Sequence, residues 1–279
     1  MLARPRALPV SRLSYTGLED YRRCSYRFYL EKALRLPPVA APFAAEPLPE
    51  TGIGGLLRGS LVHQLLERLD FRRPLAPSEA DVAALGESHG VQLTPEEIAD
   101  LRDMVDRFTG SVLRERIARA RRVRTELPFA YTLVPPGAGG RSVLVNGVVD
   151  VHAVEDGGGL LVVDYKSNPL EGREPEELTA DHYSTQRIVY ALAALRAGAP
   201  RVEVVHVYLE EPERPTSVTY EAGDADRLEA DLLQLARGVV EGRFEPTSEP
   251  HAELCATCPG RAALCSWDEE HTLSVRTPA

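Results

Sequence analysis

Gly147-Val148-Val149-Asp150, followed after thirteen residues by Asp164-Tyr165-Lys166, decides the reading of this chain. Asp150 ends one apolar strand, and Asp164 ends the next, after Leu160-Leu161-Val162-Val163. The turn Asp156-Gly157-Gly158-Gly159 makes the two strands a hairpin, so both carboxylates can lie close together. Alternation puts Asp164 and Lys166 on one face, two residues apart. Charges on the inner side of a buried strand are costly unless something uses them. A divalent cation held by the two carboxylates would do so, and Mg²⁺ and Mn²⁺ favour oxygen ligands. Lys166 would then stand beside a water or balance transition-state charge. The plainer alternative is that Asp150 starts a turn and Asp164–Lys166 is a surface pair.

Outward from this hairpin, the pattern predicts a single domain over residues 1–279 with an α/β core. A helix is expected over residues 14–36, and a Pro- and Gly-rich loop over 37–54. Residues 55–122 read as helical, beginning with a helix over 55–69. Within this part Thr94-Pro95-Glu96-Glu97 is a helix start, with Thr94 as the cap and Pro95 in the first turn. Residues 123–221 hold the strands 123–134, 142–153, 160–166 and 201–209, a helix over 179–197 and a short strand at 218–221. Residues 225–266 hold an amphipathic helix and a cysteine cluster.

The chain of 279 residues can bury a substantial core, and its 43% hydrophobic and 27% charged content is that of a globular protein. No run approaches the roughly 18 apolar residues of a membrane span. Met1-Leu2-Ala3-Arg4-Pro5 leads into no long apolar stretch, so a cytoplasmic location without membrane partners is expected. The net charge of −10 argues against nucleic-acid binding by bulk charge, though not against a local basic groove. Lys32 and Lys166 are the only lysines among 32 basic residues, so the lysine in the strand motif stands out from an arginine-dominated background.

Three further motifs accompany the hairpin. Gly59-Ser60-Leu61-Val62-His63 lies on a helix, Glu126 opens a strand, and Gln186 and Tyr190 share a helical face at i and i+4. Each alone has an ordinary structural explanation. Together, in this order and spacing, they resemble the PD-(D/E)xK nuclease superfamily in its RecB-like branch, over about residues 14–266. The resemblance implies a restriction-endonuclease-like core, a mixed central sheet flanked by helices. It also implies metal-dependent hydrolysis of DNA phosphodiesters. On it, His63, Asp150, Asp164 and the Tyr165 carbonyl would be metal ligands and Lys166 the catalytic lysine. Gln186 and Tyr190 would lie beside the active site facing DNA, and Glu126 near the metal.

Cys255-x2-Cys258-x6-Cys265 is a tight cluster, and Cys24 lies 231 positions before it. Disulfides are disfavoured in a reducing compartment, and clustered thiols near a chain end suggest a metal site. Four thiolates suit zinc or an iron–sulfur cluster. The one-plus-three layout resembles the iron–sulfur subgroup of these nucleases, AddB-type proteins and CRISPR adaptation nucleases among them. That resemblance implies a structural [4Fe–4S] cluster joining the two chain ends, with zinc the alternative.

Arg114, Arg116, Arg119, Arg121, Arg122 and Arg124 crowd into eleven residues, as a solvated helix face or as a track for a DNA backbone. Tyr15, Arg22, Arg23 and Arg27 could add stacking and phosphate contacts. The expectation is a Mg²⁺- or Mn²⁺-dependent DNase acting on single-stranded DNA or DNA ends in double-strand-break repair, free-standing or as the module of a helicase–nuclease. A CRISPR spacer-acquisition nuclease is the alternative within the family. A non-catalytic DNA-end-binding scaffold is the alternative outside catalysis. No Gly-x4-Gly-Lys-Ser/Thr loop is present, so this chain is not itself a motor.

Overall fold

The computed structural model describes residues 8–41 and 53–275. The readings made on Met1–Pro5 and on most of the 37–54 loop therefore lie outside the described residues. The chain divides into two compact units. One comprises residues 1–47, 130–147 and 229–279; the other comprises 48–129 and 148–228.

The second unit carries the hairpin. Its helices are α3 (Gly55–Glu67), α4 (Glu79–Ser88), α5 (Pro95–Thr109), α6 (Val112–Arg119) and α7 (Pro175–Arg196). In chain order α1 (Tyr15–Arg23) and α2 (Ser25–Phe28) precede them, in the other unit. The strands β2 (Arg122–Leu133) and β3 (Val143–Val154) run through the unit boundary, and β4 (Leu160–Lys166), β5 (Arg201–Tyr208) and β6 (Thr216–Glu221) complete the set. β3 and β4 are antiparallel, with Val151 opposite Val163. β4 and β5 are parallel, with Asp164 opposite His206, and β5 and β6 are antiparallel. β2 pairs with β3. The result is a mixed sheet, as the family resemblance implies.

Period-two alternation explains where each side chain goes. Leu161, Val163 and Tyr165 of β4, with Val205 and Val207 of β5, enter a core built with α3, α4, α5 and α6. The intervening residues Asp164, Lys166 and His206 contact Gln186 and Tyr183 of α7. All seven residues of β4 are buried, as a strand covered on both faces requires. Thr94 and Glu97 form a capping box with Pro95 in the first turn of α5, as the sequence indicates. α7 begins at Pro175, four residues before its apolar periodicity does, because Pro175 and the acids Glu176 and Glu177 suit a first turn. Asp150 is not at a strand end: β3 continues to Val154.

The arginine-rich segment divides by role. Arg116 is a clamp: Nε and Nη2 donate to Glu155 at 2.8 and 3.0 Å, and Nη2 also reaches Glu203 at 2.7 Å. These bonds tie α6 to β5 and to the β3–β4 turn. The Arg116 bonds hold the Glu203 carboxyl below its ordinary range. A group depressed in the folded state stabilises above its unfolded pKa and loses that contribution as pH falls through the folded value. Arg116→Met is therefore expected to cost about 1–2 kcal/mol at pH 7. In thermal melts the gap should narrow below pH ~4.3, the ordinary glutamate value. An undiminished gap at pH ~3 would count against the clamp.

The first unit contains β1 (Arg12–Leu13), α1, α2, α8 (Ala225–Glu241, from Glu229 onward), α9 (Ala252–Cys255) and α10 (Glu269–Thr272). β1 pairs in parallel with the start of β3, Arg12 opposite Leu144. The single helix expected over 14–36 is interrupted. Cys24 is extended, with φ −158° and ψ 104°, and a π-helical turn, Tyr29–Ala33, follows α2. Tertiary bonds replace the lost helical ones. Ser25 Oγ donates to the Glu245 carbonyl at 2.7 Å, and the Glu245 N–H returns to Ser25 Oγ at 2.9 Å. The Tyr26 hydroxyl donates to the Leu264 carbonyl at 2.7 Å.

Candidate active site

Three ligand atoms, from His63 on α3, Glu126 on β2 and Asp150 on β3, lie within 4.8 Å of one another. They line a cleft of about 640 Å³ that also includes Gly59, Ser167 and Asn168. α3 comes close to the end of β4 at Gly59, where a Cβ would meet Ser167 Oγ at 3.0 Å, a tight contact. His63, one turn later, is carried on the same face. Arg58 fixes the approach, with bonds of 2.6 and 2.9 Å to Asp100 of α5 and 2.7 Å to the Ser167 carbonyl. Nothing in the sequence singles out Arg58 from its many fellow arginines.

Glu126 has a φ of 46°, in the left-handed region that residues with a Cβ rarely adopt. Such a conformation costs on the order of 1–3 kcal/mol and persists where surroundings enforce it, often at functional sites. Past the last β3–β4 ladder pair, the Asp150 carboxylate accepts the Tyr165 N–H at 2.7 Å. Asp150 Oδ1 lies 3.5 Å from His63 Nδ1.

Asp164 occupies a drier position beside this group. It is 3% exposed, and Lys166 Nζ lies 2.5 Å from its Oδ2. Gln186 Nε2 donates to Asp164 Oδ1 at 2.6 Å, while Gln186 Oε1 accepts from Lys166 Nζ at 2.8 Å. The Tyr190 hydroxyl lies 3.0 Å from Asp164 Oδ1 and 3.0 Å from the Val148 carbonyl, and accepts from Gln186 at 2.9 Å. Gln186 and Tyr190 are each 6% exposed. They lie beside Asp164 and Lys166, to which burial commits their polar atoms.

The electrostatics show a site short of positive charge. Burial, then the neighbouring Asp164, pushes the Asp150 carboxyl up. Burial and Asp150 do the same to Glu126. Burial alone would push Asp164 up too, but the charge and bond of Lys166, with His206 and His63, together hold Asp164 below its ordinary range. Burial pulls His63 down, yet the bond and charge of Asp150, with Asp164 and Glu126, leave it above its ordinary value. Crowded carboxylates with raised pKa values beside an imidazole are a donor set that fits a divalent cation.

Of the residues expected to meet DNA, Arg122 and Arg124 line a second groove with Arg72, about 460 Å³ in volume. Arg119 is 68% exposed, 3.9 Å from Glu115. In the first unit, Arg22 pairs with Glu19 at 2.7 Å, Arg23 is exposed and Tyr15 is half-buried. Arg27 is committed elsewhere: it bonds Glu31 at 2.8 Å, Thr257 at 3.1 Å and the Leu254 carbonyl. It thereby binds α2 to the cysteine segment. Cys24, Cys255, Cys258 and Cys265 line one small cavity of this unit, and none forms a disulfide.

The PD-(D/E)XK nuclease superfamily profile matches residues 12–265, and the chain belongs to that superfamily, whose members are metal-dependent nucleases. Within it, the chain is similar to an ATP-dependent helicase/nuclease subunit of Bacillus cereus strain AH820, 27% identical over 169 residues. The Bacillus anthracis protein of the same name is also 27% identical, over 176 residues. These matches cover 55% and 58% of this chain but 14% of each relative, so the likeness is to a small part of a much longer protein. A solved structure from Eubacterium rectale matches 96% of this chain and 91% of its own, at 11% identity and a TM-score of 0.49. No helix among the described residues is long and apolar enough to cross a membrane.

Proposed function

We propose that this chain is a Mg²⁺- or Mn²⁺-dependent deoxyribonuclease that acts on single-stranded DNA or DNA ends during double-strand-break repair. It works either alone or with a helicase. The observation that carries this reading is the convergence of His63, Glu126 and Asp150 beside the Asp164–Lys166 pair. His63, Glu126 and Asp150 would hold the cation, with Asp164 and the Tyr165 carbonyl completing the donors. A divalent ion there supplies Lewis acidity and lowers the pKa of a bound water.

The chain's own groups do the rest. Lys166 presents a fixed positive charge beside the carboxylates, where it offsets charge gathering on the scissile phosphate. Gln186 and Tyr190 fix Asp164, and Gln186 also fixes the ammonium. Arg122 and Arg124 offer phosphate contacts on the strand that leads to Glu126. The experiment is cleavage of end-labelled single-stranded DNA, duplex DNA and RNA, with Mn²⁺, Mg²⁺ or chelator. Metal-dependent cutting of single-stranded DNA is expected. No cutting under any condition would favour the scaffold reading, and equal cutting of RNA would remove the restriction to DNA.

His63→Ala is expected to weaken Mn²⁺ binding at least about tenfold, since even outer partners of a ligand are worth that much. Titration calorimetry and a thermal melt on the same sample separate the roles. A lower melting temperature with unchanged Mn²⁺ affinity would make His63 purely structural.

We further propose that the four thiols hold a [4Fe–4S] cluster, as the one-plus-three cysteine layout implies. Cys24, Cys255, Cys258 and Cys265 line one cavity and none is in a disulfide, so all four sulfurs are available to a metal centre. Burial pushes the Cys255 and Cys258 thiols up, and metal binding would reverse that protonation.

A further inference from the structure

Lys166 has a third neighbour that the site chemistry above leaves unused. Its Nζ stands 3.6 Å from the centroid of the Tyr183 ring. Tyr183, Gln186 and Tyr190 lie at i, i+3 and i+7 on α7, so one helical face meets the Asp164–Lys166 side of β4. The ring is itself held. Its hydroxyl donates to Asn168 Oδ1 at 3.2 Å, and it stacks on His206 at 5.6 Å between centroids and 23° between planes.

We propose that Tyr183 is a positioning residue for Lys166, its ring face holding the ammonium by a cation–π contact while Asp164 and Gln186 hold it by charge and hydrogen bond. A lysine side chain has a flexible four-carbon stem and a correspondingly large rotamer entropy, so a point charge that must stay beside a reacting phosphate needs restraint on several sides. Asp164 and Gln186 supply directed bonds; the ring supplies an apolar wall that still favours a cation. The stack behind it brings no competing charge. Burial pushes the Tyr183 hydroxyl up to about 12, so it stays a neutral phenol. Burial pulls His206 down to about 4, so the imidazole is neutral at pH 7.

This inference rests on the nuclease reading of the site, and it can fail separately. The chain contains only two lysines, Lys32 and Lys166, so lysine-selective ¹³C labelling gives two ε-methylene signals. The Lys166 signal should be shifted upfield by the Tyr183 ring current, with or without metal. Tyr183→Phe loses the bond to Asn168 but keeps the ring and its stack on His206, and should keep the shift and most of the rate. Tyr183→Leu should lose the shift and lower kcat by roughly 10- to 30-fold, with KM for single-stranded DNA and Mn²⁺ affinity unchanged. Should Tyr183→Leu fail to fold, phenylalanines of increasing fluorination at this position weaken the ring quadrupole without changing its shape. A stepwise fall of kcat along that series is then the expected result. A flat series, or an ε-methylene shift indifferent to Tyr183→Leu, in a protein that cuts DNA overturns the positioning role alone. A parent protein that cuts no DNA overturns the nuclease reading, and this role with it.

Discussion

Asp150→Ala is expected to reduce cleavage by about a thousandfold or more, the scale on which removing one stabilising group at a charge-developing centre acts, here compounded by loss of a metal donor. The fold should survive. Asp150 carries a raised pKa because burial and Asp164 penalise its charge, so removing it relieves repulsion as well as losing the bond from the Tyr165 N–H. Asp164→Ala should also abolish cleavage, but it differs in stability. Asp164 is 3% exposed and pairs with Lys166, so its loss leaves a buried ammonium without its carboxylate. Breaking a buried pair in this way costs about 3–5 kcal/mol. Melting curves and Mn²⁺ titrations of the two variants check both halves: weakened metal binding in Asp150→Ala with a near-normal melt, and a lowered melt in Asp164→Ala. Near-normal Mn²⁺-dependent activity in either variant would refute its assignment to the site.

Cys24→Ala should produce the largest loss of stability. Cys24 stands at the break between α1 and α2, where its Sγ accepts the Arg27 N–H at 3.4 Å, and it shares a cavity with the three C-terminal cysteines. A cluster there would close a loop of 231 positions between Cys24 and Cys255. By the chain-entropy estimate used for disulfides, that closure is worth about 5.5 kcal/mol. The metal adds its own folding free energy. Anaerobically purified parent protein should be brown with about four irons per chain, and Cys24→Ala should be pale and melt far lower. One zinc and no iron in anaerobic parent protein would replace the iron–sulfur cluster with zinc and leave the stapling argument standing.

The hairpin was legible because alternation and turn chemistry are local. Leu160–Lys166 reads as a buried strand, and the side on which Asp164 and Lys166 stand follows from period two. The helix start at Thr94–Glu97 is local in the same way. What sequence reasoning could not reach depends on distant partners. Cys24 interrupts a helix that its neighbours would continue, because the next turn bonds to Glu245 and Leu264. Glu126 adopts a left-handed φ with no glycine to announce it. Arg116 looks like its five neighbouring arginines until Glu155 and Glu203 are beside it. Tyr183 sits three residues before Gln186 in plain view, but only the packing of α7 on β4 shows that its ring meets Lys166. Asp164 and Lys166 were legible as a pair, whereas the gathering of His63, Glu126 and Asp150 ligand atoms within 4.8 Å of one another needs the fold.

Anomalous diffraction from a Mn²⁺-soaked crystal tests the account at its centre. The expected result is a manganese peak in the cleft, within coordinating distance of His63, Glu126 and Asp150 and weakened in Asp150→Ala. A protein whose manganese binds elsewhere, with that cleft empty at saturating Mn²⁺, would contradict it.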